Sequence, residues 1–276
     1  MTATPRPASQ MPLQDDMLLG PAVPDLGWVP APRYLLRRRR ILRQLAGALP
    51  GELLEIGPGA GMLLQELSAR GFACHALETS TAARDLMQQI SQRSGRAIDV
   101  HAQGSAGWRG HFAWLLAFEV LEHIEDDISA LSQWRDWLAP GGTLVMSVPA
   151  HPRLWNAADV WAGHFRRYTR ESLIARVREV GLEVEYLECI GFPAGNLTEM
   201  AQARSIERRL QHGDSEGERQ ANNDRSGIDR GHVLKWYPAM RSPVGRLALR
   251  VAFALQAATC RLPLGNGYLL RARKPR

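Results

Sequence analysis

The sequence predicts an α/β protein built on a doubly wound, mostly parallel sheet. Short apolar runs alternate with segments of helical periodicity from Leu53 to Val148, and this order implies right-handed crossovers between parallel strands. The first run, residues 53–56, passes directly into a glycine-rich loop and then into a helix start at Leu63 and Leu64. A buried strand followed by a helix packed on the sheet has this pattern.

Composition sets broad limits on the 276-residue chain. It is 45% hydrophobic and 22% charged, an ordinary globular balance, and its formal net charge is +6. That charge bears on association rather than on fold. Cys74, Cys189 and Cys260 lack metal-ligand spacing, so we expect buried thiols in a reducing compartment. Residues 1–10 have no apolar core and no run reaches the length of a membrane span, which makes the cytoplasm the expected location.

The loop Gly57-Pro58-Gly59-Ala60-Gly61 predicts a nucleotide-type ligand. Its glycines let a ligand approach the main chain, and the following helix start leaves N–H groups free. The dinucleotide fingerprint requires glycine at position 62, which is Met62 here. Glu55, two residues ahead of the loop, would repel a pyrophosphate and attract an ammonium group. These residues favour S-adenosylmethionine, a cationic ligand without phosphate.

Two motifs carry a resemblance to a known family. Glu55 to Gly61 resembles motif I of the class I S-adenosylmethionine-dependent methyltransferases, and Val-Leu-Glu-His-Ile at 120–124 resembles their motif IV. The resemblance covers roughly residues 50–192 and 265–273 and points to the ubiquinone-methyltransferase-like branch of bacterial small-molecule enzymes. It implies a Rossmann-like doubly wound seven-stranded sheet with an antiparallel last strand, and S-adenosyl-L-methionine as co-substrate.

The resemblance also divides the chain. Residues 1–50 form an N-terminal extension with a helix over 33–49, residues 51–195 and 263–276 form the cofactor-binding domain, and residues 196–262 form a helical lid or acceptor insertion. Within the insertion we expect a helix over 197–210, a mobile polar stretch over 211–230 and an apolar helix over 244–259. That last helix either closes over the pocket as a lid or lies on a bilayer.

Three local patterns give further expectations. Many prolines in residues 1–32 predict no regular core element there. The run Arg37 to Arg40 predicts a solvated helix face, in preference to a nucleic-acid patch. Pro140-Gly141-Gly142 predicts a turn between a helix and a strand over 143–148.

Cofactor-binding residues follow from the motifs. Glu78 ends the second predicted strand 23 residues beyond Glu55, and its carboxylate suits the two hydroxyls of a ribose. The resemblance implies adenine contact near Ser105, where the family often has Asp, and it usually has another Asp where this chain has Ala113. The predicted set is Glu55, Gly57, Pro58, Gly59, Gly61, Glu78, Thr79, Ser105, Ala106 and Glu119.

Methyl transfer is an in-line displacement in which the enzyme positions the acceptor and, for a hydroxyl or amine, removes a proton. The candidate bases are His123, His164 and Asp159, with Tyr168 as a polar partner, and the predicted catalytic set is His123, His164 and Tyr168. His123 follows a central strand and titrates near neutral pH, although it can equally be part of the scaffold. Arg166 and Arg167 either hold an anionic group of the acceptor or belong to a salt-linked surface loop.

A metal-assisted alternative uses some of the same residues. Glu119-x-x-Glu122-His123 with a later His164 resembles the Mg²⁺ site of small-RNA 2′-hydroxyl methyltransferases and a similar site in ubiquinone-pathway O-methyltransferases. The resemblance implies that a divalent ion there would lower the pKa of an acceptor hydroxyl. Glu119 has a second interpretation, since in class I enzymes this position often lies near the methionine end of the cofactor.

These observations predict a methyltransferase acting on oxygen of a small-molecule, lipid-linked or sugar-linked acceptor, with nitrogen and carbon acceptors left open. A peripheral membrane contact is a possible partner interaction. Two competing predictions remain. The basic balance suggests an RNA methyltransferase, although the sequence lacks a stacking-aromatic module. The 244–259 helix and the missing motif acids suggest a non-catalytic cofactor-binding or membrane-surface protein.

Overall fold

A computed structural model describes residues 13–211, 228 and 230–276 of the chain. Its centre is a seven-stranded sheet with the order β3-β2-β1-β4-β5-β7-β6. Neighbouring strands are parallel from β3 to β5, and β7 is antiparallel to both β5 and β6. The predicted doubly wound sheet with an antiparallel last strand is confirmed. The strands are β1 Glu52–Ile56, β2 Ala73–Leu77, β3 Asp99–His101, β4 Phe112–Phe118, β5 Leu138–Pro149, β6 Glu183–Ile190 and β7 Gly267–Arg273.

Helices cover both faces of this sheet, as its apolar strands require. One face packs on α4 and α6, and the other packs on α1, α2 and α3. Ser80 and Thr169 cap α3 and α6 with their hydroxyl groups, as the sequence indicates. The helices are α1 Pro32–Gln44, α2 Met62–Ser68, α3 Thr81–Ser94, α4 Asp127–Trp137, α5 Ala157–Ala162, α6 Arg170–Glu179, α7 Ala194–Gln211, α8 Gly231–Leu234, α9 Tyr237–Arg241 and α10 Pro243–Thr259.

The prediction of a turn at residues 140–142 is wrong only in part, because these residues fall inside β5 while regular pairing with β4 and β7 begins at Thr143, the predicted start of the strand. Strand β5 begins at Leu138, immediately after α4, and contains the Pro-Gly-Gly sequence. The pairing of β4 with β5 shifts register between Phe112 and Trp114, and Gly141 has φ 75°. Because the irregularity absorbs the glycine conformation within the ladder, the strand continues where the sequence suggests a break.

Residues 13–31, before α1, form no sheet strand or α-helix, as their prolines predict, yet they contribute side chains to the core. Leu19, Val23, Trp28 and Val29 are each at most 2% exposed. Two isolated bridges within the segment, from Gln14 to Ala22 and from Val23 to Trp28, shape it without forming a ladder. Prolines therefore prevent regular strands here without preventing burial.

The arginine run of α1 is not a solvated face. Arg38 and Arg40 are each 4% exposed. Arg38 donates to both carboxylate oxygens of Glu66, at 2.6 and 2.8 Å, and Arg40 pairs with Glu188. Of the four arginines, only Arg39 is exposed. Each buried guanidinium has its carboxylate partner on another element, and a local charge pattern does not contain that information.

The segment between β6 and β7 packs on α1. Leu249 and Phe253 of α10 belong to the same apolar cluster as α1. Gln256 fixes the contact, because its Nε2 donates to the Leu36 carbonyl at 2.9 Å and its Oε1 accepts from the Gly191 N–H at 2.8 Å. The predicted helices over 197–210 and 244–259 are confirmed. Residues 212–227 and 229, within the stretch predicted to be mobile, lie outside the described residues.

Cys74, Cys189 and Cys260 are buried free thiols, as predicted. Across the described ranges, we find no helix whose length and apolar character would let it cross a bilayer.

Candidate active site

The loops that follow the parallel strands meet at one edge of the sheet, where ligands of open α/β sheets bind. Backbone hydrogen bonds extend the strand pairing into these loops, so their first residues are held in fixed positions. These bonds run from Gly57 N to Leu77 O, from Glu78 N to His101 O and from Glu119 N to Ser147 O, each at 2.9 Å.

The glycine loop has the positive φ angles that its sequence predicts. Gly57, Gly59 and Gly61 have φ of 64°, 58° and 68°, in the left-handed region that favours glycine. A Cβ at Gly57 would lie 2.8 Å from Val120 Cγ2, and one at Gly61 would lie 2.7 Å from Met87 Cγ. The loop therefore requires glycine both for its conformation and for its close packing.

Glu78 joins the first two loops. One carboxylate oxygen accepts from the Gly59 N–H at 3.0 Å and the other accepts from the Ser80 N–H at 2.9 Å. Glu78 is 8% exposed. An ionised carboxylate offers about four acceptor sites in all, and we predict that Glu78 also accepts from the hydroxyls of a ribose.

Unpartnered polar atoms surround the base of the glycine loop. Glu55 Oε2, Tyr34 Oη and Trp28 Nε1 are shielded from solvent without a hydrogen-bond partner. Burial raises the pKa of Glu55 to about 8. A buried carboxylate oxygen without a donor is costly, and an ammonium group would supply that donor. These three atoms therefore fit a polar, cationic cofactor, and Trp28 also packs beside Ala60 and Met62.

The remaining predicted cofactor residues lie on the same loops. Pro58 accepts from the Gly61 N–H at 3.1 Å, which closes the glycine turn. Thr79 is exposed directly after Glu78. Ser105 is also exposed, and its hydroxyl accepts from Gly107 N at 3.2 Å at the start of a short 3₁₀ turn that contains Ala106. Contact with the adenine by these side chains stays a prediction.

Glu119 has an unusual backbone for a residue that is not glycine, with φ 57°. Such conformations concentrate at functional sites. Its Oε1 accepts from the Ser147 hydroxyl at 2.7 Å and lies 3.5 Å from Arg37 Nη1. Burial opposes its ionisation, but the charges of Arg37 and Arg33, the Ser147 hydrogen bond and the charge of His164 together hold the pKa of Glu119 below its ordinary value.

Glu122, His123 and His164 converge beside Glu119. Their ligand atoms all lie within 4.8 Å of one another, and the two imidazole rings meet edge to face at 4.6 Å. Both oxygens of the fully buried Glu122 lack a hydrogen-bond partner. Burial, followed by the charge of Glu119, raises the pKa of Glu122 well above its ordinary value. Burial and the charge of His164 lower the pKa of His123 to about 4.

Asp159 orients His164. Its Oδ1 lies 2.8 Å from His164 Nδ1, and His164 Nε2 lies 3.9 Å from Glu122 Oε1. Arg167 also donates to both oxygens of Asp159. Burial opposes ionisation of Asp159, yet these hydrogen bonds hold its pKa below the ordinary value. An ionised carboxylate therefore faces one nitrogen of His164, and the other nitrogen faces the cluster.

Tyr168 occupies a different environment from the two histidines. It is 1% exposed, and its hydroxyl donates to Asp127 Oδ2 at 2.9 Å. Arg166 pairs with the same carboxyl group at 2.8 Å, and Arg167 pairs with Asp159 and Glu199. Both arginines thus form internal ion pairs, which supports the salt-linked interpretation of this segment.

Sequence reasoning missed Tyr34 and Arg37 at this site. Both lie on α1, outside the motifs, and only the packing of α1 against the strand ends brings them to Glu55 and Glu119. The aromatic and cationic residues of a helix without a motif give no local signal of this role. Asp159 is a candidate base in the sequence, but its contact with His164 depends on the fold and is not predicted.

The fold and this site define the class of protein, an α/β methyltransferase that uses S-adenosyl-L-methionine. The sequence model of a family described as "Methyltransferase domain" matches residues 31–187, more than half of the chain. The chain belongs to that family, and the predicted resemblance is confirmed.

Curated relatives carry more specific names. The chain is 28% identical over 170 residues to a ubiquinone biosynthesis O-methyltransferase of Pseudomonas aeruginosa, across 55% of this chain and 72% of that protein. It is 28% identical over 162 residues to the Cereibacter sphaeroides protein of the same name, across 51% of this chain and 65% of that protein.

Solved structures share the fold at low sequence identity. A sarcosine dimethylglycine methyltransferase described as putative, from Galdieria sulphuraria, matches with a TM-score of 0.57 and 13% identity over 95% of this chain and 94% of its own. A phosphoethanolamine N-methyltransferase of Haemonchus contortus, in complex with S-adenosyl-L-methionine, matches with a TM-score of 0.53 and 15% identity over 87% of this chain and 52% of its own. The [4+2]-cyclase SpnF matches with a TM-score of 0.57 and 17% identity over 88% of this chain and 82% of its own. Since these names differ, the fold alone does not assign an acceptor.

Proposed function

We propose that this methyltransferase acts on a hydroxyl oxygen of a small-molecule acceptor that is attached to a lipid. The pair of Asp159 and His164 at the edge of the predicted cofactor pocket carries the proposal. An imidazole oriented by a carboxylate is suited to accept the proton of a hydroxyl group, and this supports the proposal. The names of the curated relatives, which are O-methyltransferases at 28% identity, support the choice of oxygen.

His164 is the proposed base. With its Nδ1–H donated to Asp159, its Nε2 carries a lone pair and can accept the acceptor's proton, and the Asp159 carboxylate then stabilises the imidazolium. His123 is the weaker base because its pKa is lowered to about 4. We assign His123 to positioning of the acceptor. S-adenosylmethionine supplies the electrophilic methyl group when bound, and Glu55, Glu78 and Glu119 are proposed to hold it.

The outer face of α10 supports a lipid-attached acceptor. Val244, Leu247, Val251 and Leu255 follow one another at helical spacing and are 78%, 60%, 50% and 46% exposed. The face they share lies opposite Leu249 and Phe253, which pack on α1. A continuous exposed apolar stripe of this kind is typical of a helix lying in a membrane interface.

The charge around α10 matches an anionic bilayer. From residue 230 to residue 264 the sequence has six Lys or Arg residues and no acidic residue. Trp236, 70% exposed just ahead of α9, adds an aromatic side chain of the type enriched at membrane interfaces. We propose that α10 docks on an anionic membrane from which the acceptor reaches the pocket.

A product search tests the reaction. Purified protein is incubated with methyl-labelled S-adenosylmethionine and an extract of the host, and label is followed into organic-phase lipids, RNA and water-soluble products. We expect a labelled lipid whose methyl group is on oxygen, with His164→Ala lowering its formation and Arg39→Ala, an exposed control, leaving it unchanged. Label confined to RNA, or a methylated nitrogen or carbon, would contradict the proposal.

Vesicle sedimentation tests the membrane contact separately. We expect wild-type protein to sediment with vesicles of phosphatidylglycerol and phosphatidylcholine more than with phosphatidylcholine alone. Leu247→Asp/Val251→Asp should abolish sedimentation, and Arg84→Asp on α3 should not. Equal sedimentation of both variants would reject α10 as the docking face. A concentration-dependent dimer lost in the first variant would instead assign the face to a second copy of the chain.

A divalent ion at Glu122, His123 and His164 is the second candidate. The two unpartnered oxygens of Glu122 and the Asp159 contact of His164 fit a metal site, because metal-bound imidazoles commonly have a carboxylate on their other nitrogen. Such an ion would lower the pKa of a bound hydroxyl. EDTA would then abolish product formation, and Mg²⁺ or Zn²⁺ would restore it only when Glu122 is intact. This result would favour the divalent ion over proton removal by His164 alone.

A further inference from the structure

A second group of metal-binding side chains lies at the other edge of the parallel sheet, on β2 and β3. His75 pairs in register with Asp99, and Leu77 pairs with His101. Since side chains alternate along a strand, His75, Asp99 and His101 lie on the same face. No residue of this group belongs to the predicted cofactor or acceptor site.

The spacing of the three side chains matches a metal site better than a hydrogen-bond network. Asp99 Oδ2 lies 3.5 Å from His75 Nδ1 and 3.6 Å from His101 Nε2. These distances are long for hydrogen bonds. Ligand atoms in a tetrahedral Zn²⁺ site, with bonds of about 2.1 Å, lie roughly 3.4 Å apart. Two of the three separations match that spacing, and the three ligand atoms all lie within 4.8 Å of one another.

Neither of the two imidazole nitrogens has another hydrogen-bond partner among the described residues. His75 Nδ1 and His101 Nε2 are both shielded from solvent without a hydrogen bond. Trp108 contacts the His101 ring edge-on at 5.0 Å, and Phe112 contacts the His75 ring at 5.3 Å. These aromatic contacts restrict the orientations of both rings.

Glu52 sets the tautomer of His75. Its Oε2 lies 2.8 Å from His75 Nε2. With the proton on Nε2 and donated to Glu52, Nδ1 presents its lone pair to Asp99 and His101. A carboxylate on the second nitrogen of a ligating histidine is the usual support of a metal site. His111, whose Nε2 lies 3.7 Å from the same Glu52 oxygen, belongs to a poorer triad, because Glu52 and His75 are too close together to be two ligands of one ion.

We propose that His75, Asp99 and His101 bind a first-row transition metal ion of the Zn²⁺ type, with Glu52 as the positioning residue for His75. Two imidazoles and one carboxylate are borderline ligands that suit Zn²⁺ rather than Mg²⁺. The Asp99 side chain is 66% exposed, so the ion has an entry path and a fourth position open to water. The proposal is independent of the proposed function.

The site has a direct connection to the cofactor loops. The His101 carbonyl accepts from Glu78 N at 2.9 Å, and the loop predicted to contact adenine begins at the next residue. An ion bound at His101 would fasten β3, a strand of three residues at the edge of the sheet, to β2. We therefore expect metal binding to raise the unfolding temperature of the whole chain.

Cobalt titration tests the site, since Co²⁺ in a tetrahedral site absorbs visible light. The His164→Ala variant of the full chain serves as the background, which removes the cluster with Glu122. We expect one equivalent of Co²⁺ to produce visible bands that Zn²⁺ displaces. Asp99→Asn and His101→Ala should each weaken binding at least about 100-fold, and Glu52→Gln about 10-fold.

Control variants separate the loss of metal binding from a general effect of substitution on folding. Asp85→Asn, an exposed change on α3, should bind Co²⁺ like the background. Because Asp99 is exposed, Asp99→Asn should keep the metal-free melting temperature of the background while losing the increase produced by Zn²⁺. The proposal would be overturned if Co²⁺ binding were unchanged in both Asp99→Asn and His101→Ala. It would also be overturned if the background variant did not bind one equivalent of Co²⁺.

Discussion

Arg40 Nε donates a 2.9 Å hydrogen bond to Glu188 Oε1 in an ion pair whose side chains are 4% and 1% exposed. This contact joins α1 to β6, the strand at the end of the sheet. Removal of one partner of such a pair leaves a buried charge without compensation. The pair therefore fixes the position of α1, and with it Tyr34 and Arg37, relative to the candidate site.

Substitution of Arg40 should destabilise the protein strongly. We expect Arg40→Met to lower the free energy of unfolding by about 3–5 kcal/mol, because Glu188 is left buried and charged. Arg40→Met/Glu188→Leu should recover most of the loss, and Arg39→Met, at the exposed neighbouring position, should change stability by less than about 0.5 kcal/mol. Urea unfolding measures all three. An Arg40→Met variant as stable as wild type would contradict the structural role of the pair.

Glu78 should control cofactor affinity. Glu78→Ala removes the acceptor of the Gly59 and Ser80 N–H groups and the predicted ribose contact, so we expect S-adenosylhomocysteine to bind about 10- to 100-fold more weakly. Calorimetry measures the change, with Asp85→Ala on α3 as the control. Unchanged affinity of Glu78→Ala would remove Glu78 from the cofactor site.

Glu55 should make stability fall as pH rises. Its pKa of about 8 in the folded chain exceeds the model-peptide value of 4.5, so the folded state binds more protons between these values and loses stability as pH rises towards 8. Glu55→Gln removes this contribution. We expect wild type to lose about 3–4 kcal/mol relative to Glu55→Gln between pH 5 and pH 9.

Chemical unfolding at several pH values measures that difference. Glu179→Gln, a change of an exposed acid on α6, serves as the control and should follow wild type throughout. If the free energies of unfolding of wild type and Glu55→Gln changed in parallel with pH, the pKa of the Glu55 carboxyl would not be raised.

His164 should affect turnover rather than cofactor binding. We expect His164→Ala to lower kcat about 100- to 10,000-fold, as loss of a general base does, with the affinity for S-adenosylhomocysteine changed less than about threefold. The assay uses the labelled product identified from the extract. His123→Ala should raise KM more than it lowers kcat, since His123 is assigned to positioning. Full turnover by His164→Ala would eliminate it as the base.

Tyr168 should behave as a core residue. Its buried hydroxyl bonds to Asp127, which also pairs with Arg166 and Arg176. We expect Tyr168→Phe to lower the free energy of unfolding by about 1–2 kcal/mol and to leave kcat within about threefold of wild type. A large loss of kcat with unchanged stability would restore the catalytic role that the sequence suggested for Tyr168.

The sequence by itself determined the sheet and the position of the cofactor loops. The order of apolar runs and helical segments specifies parallel strands with crossovers, and the glycines at 57, 59 and 61 specify a turn that other residues do not adopt easily. Glu55 and Glu78 were recognisable because each follows from a local rule, an acid ahead of the loop and an acid at the next strand end.

Only the tertiary structure decided which distant side chains meet. The burial of Arg38 and Arg40, the approach of Tyr34 and Arg37 to the pocket, and the convergence of His75, Asp99 and His101 all join residues from different elements. Periodicity and motif spacing are local properties of the chain, whereas these contacts depend on how helices pack on the sheet and on the register of paired strands. The local pattern fixed the elements, and packing fixed their partners.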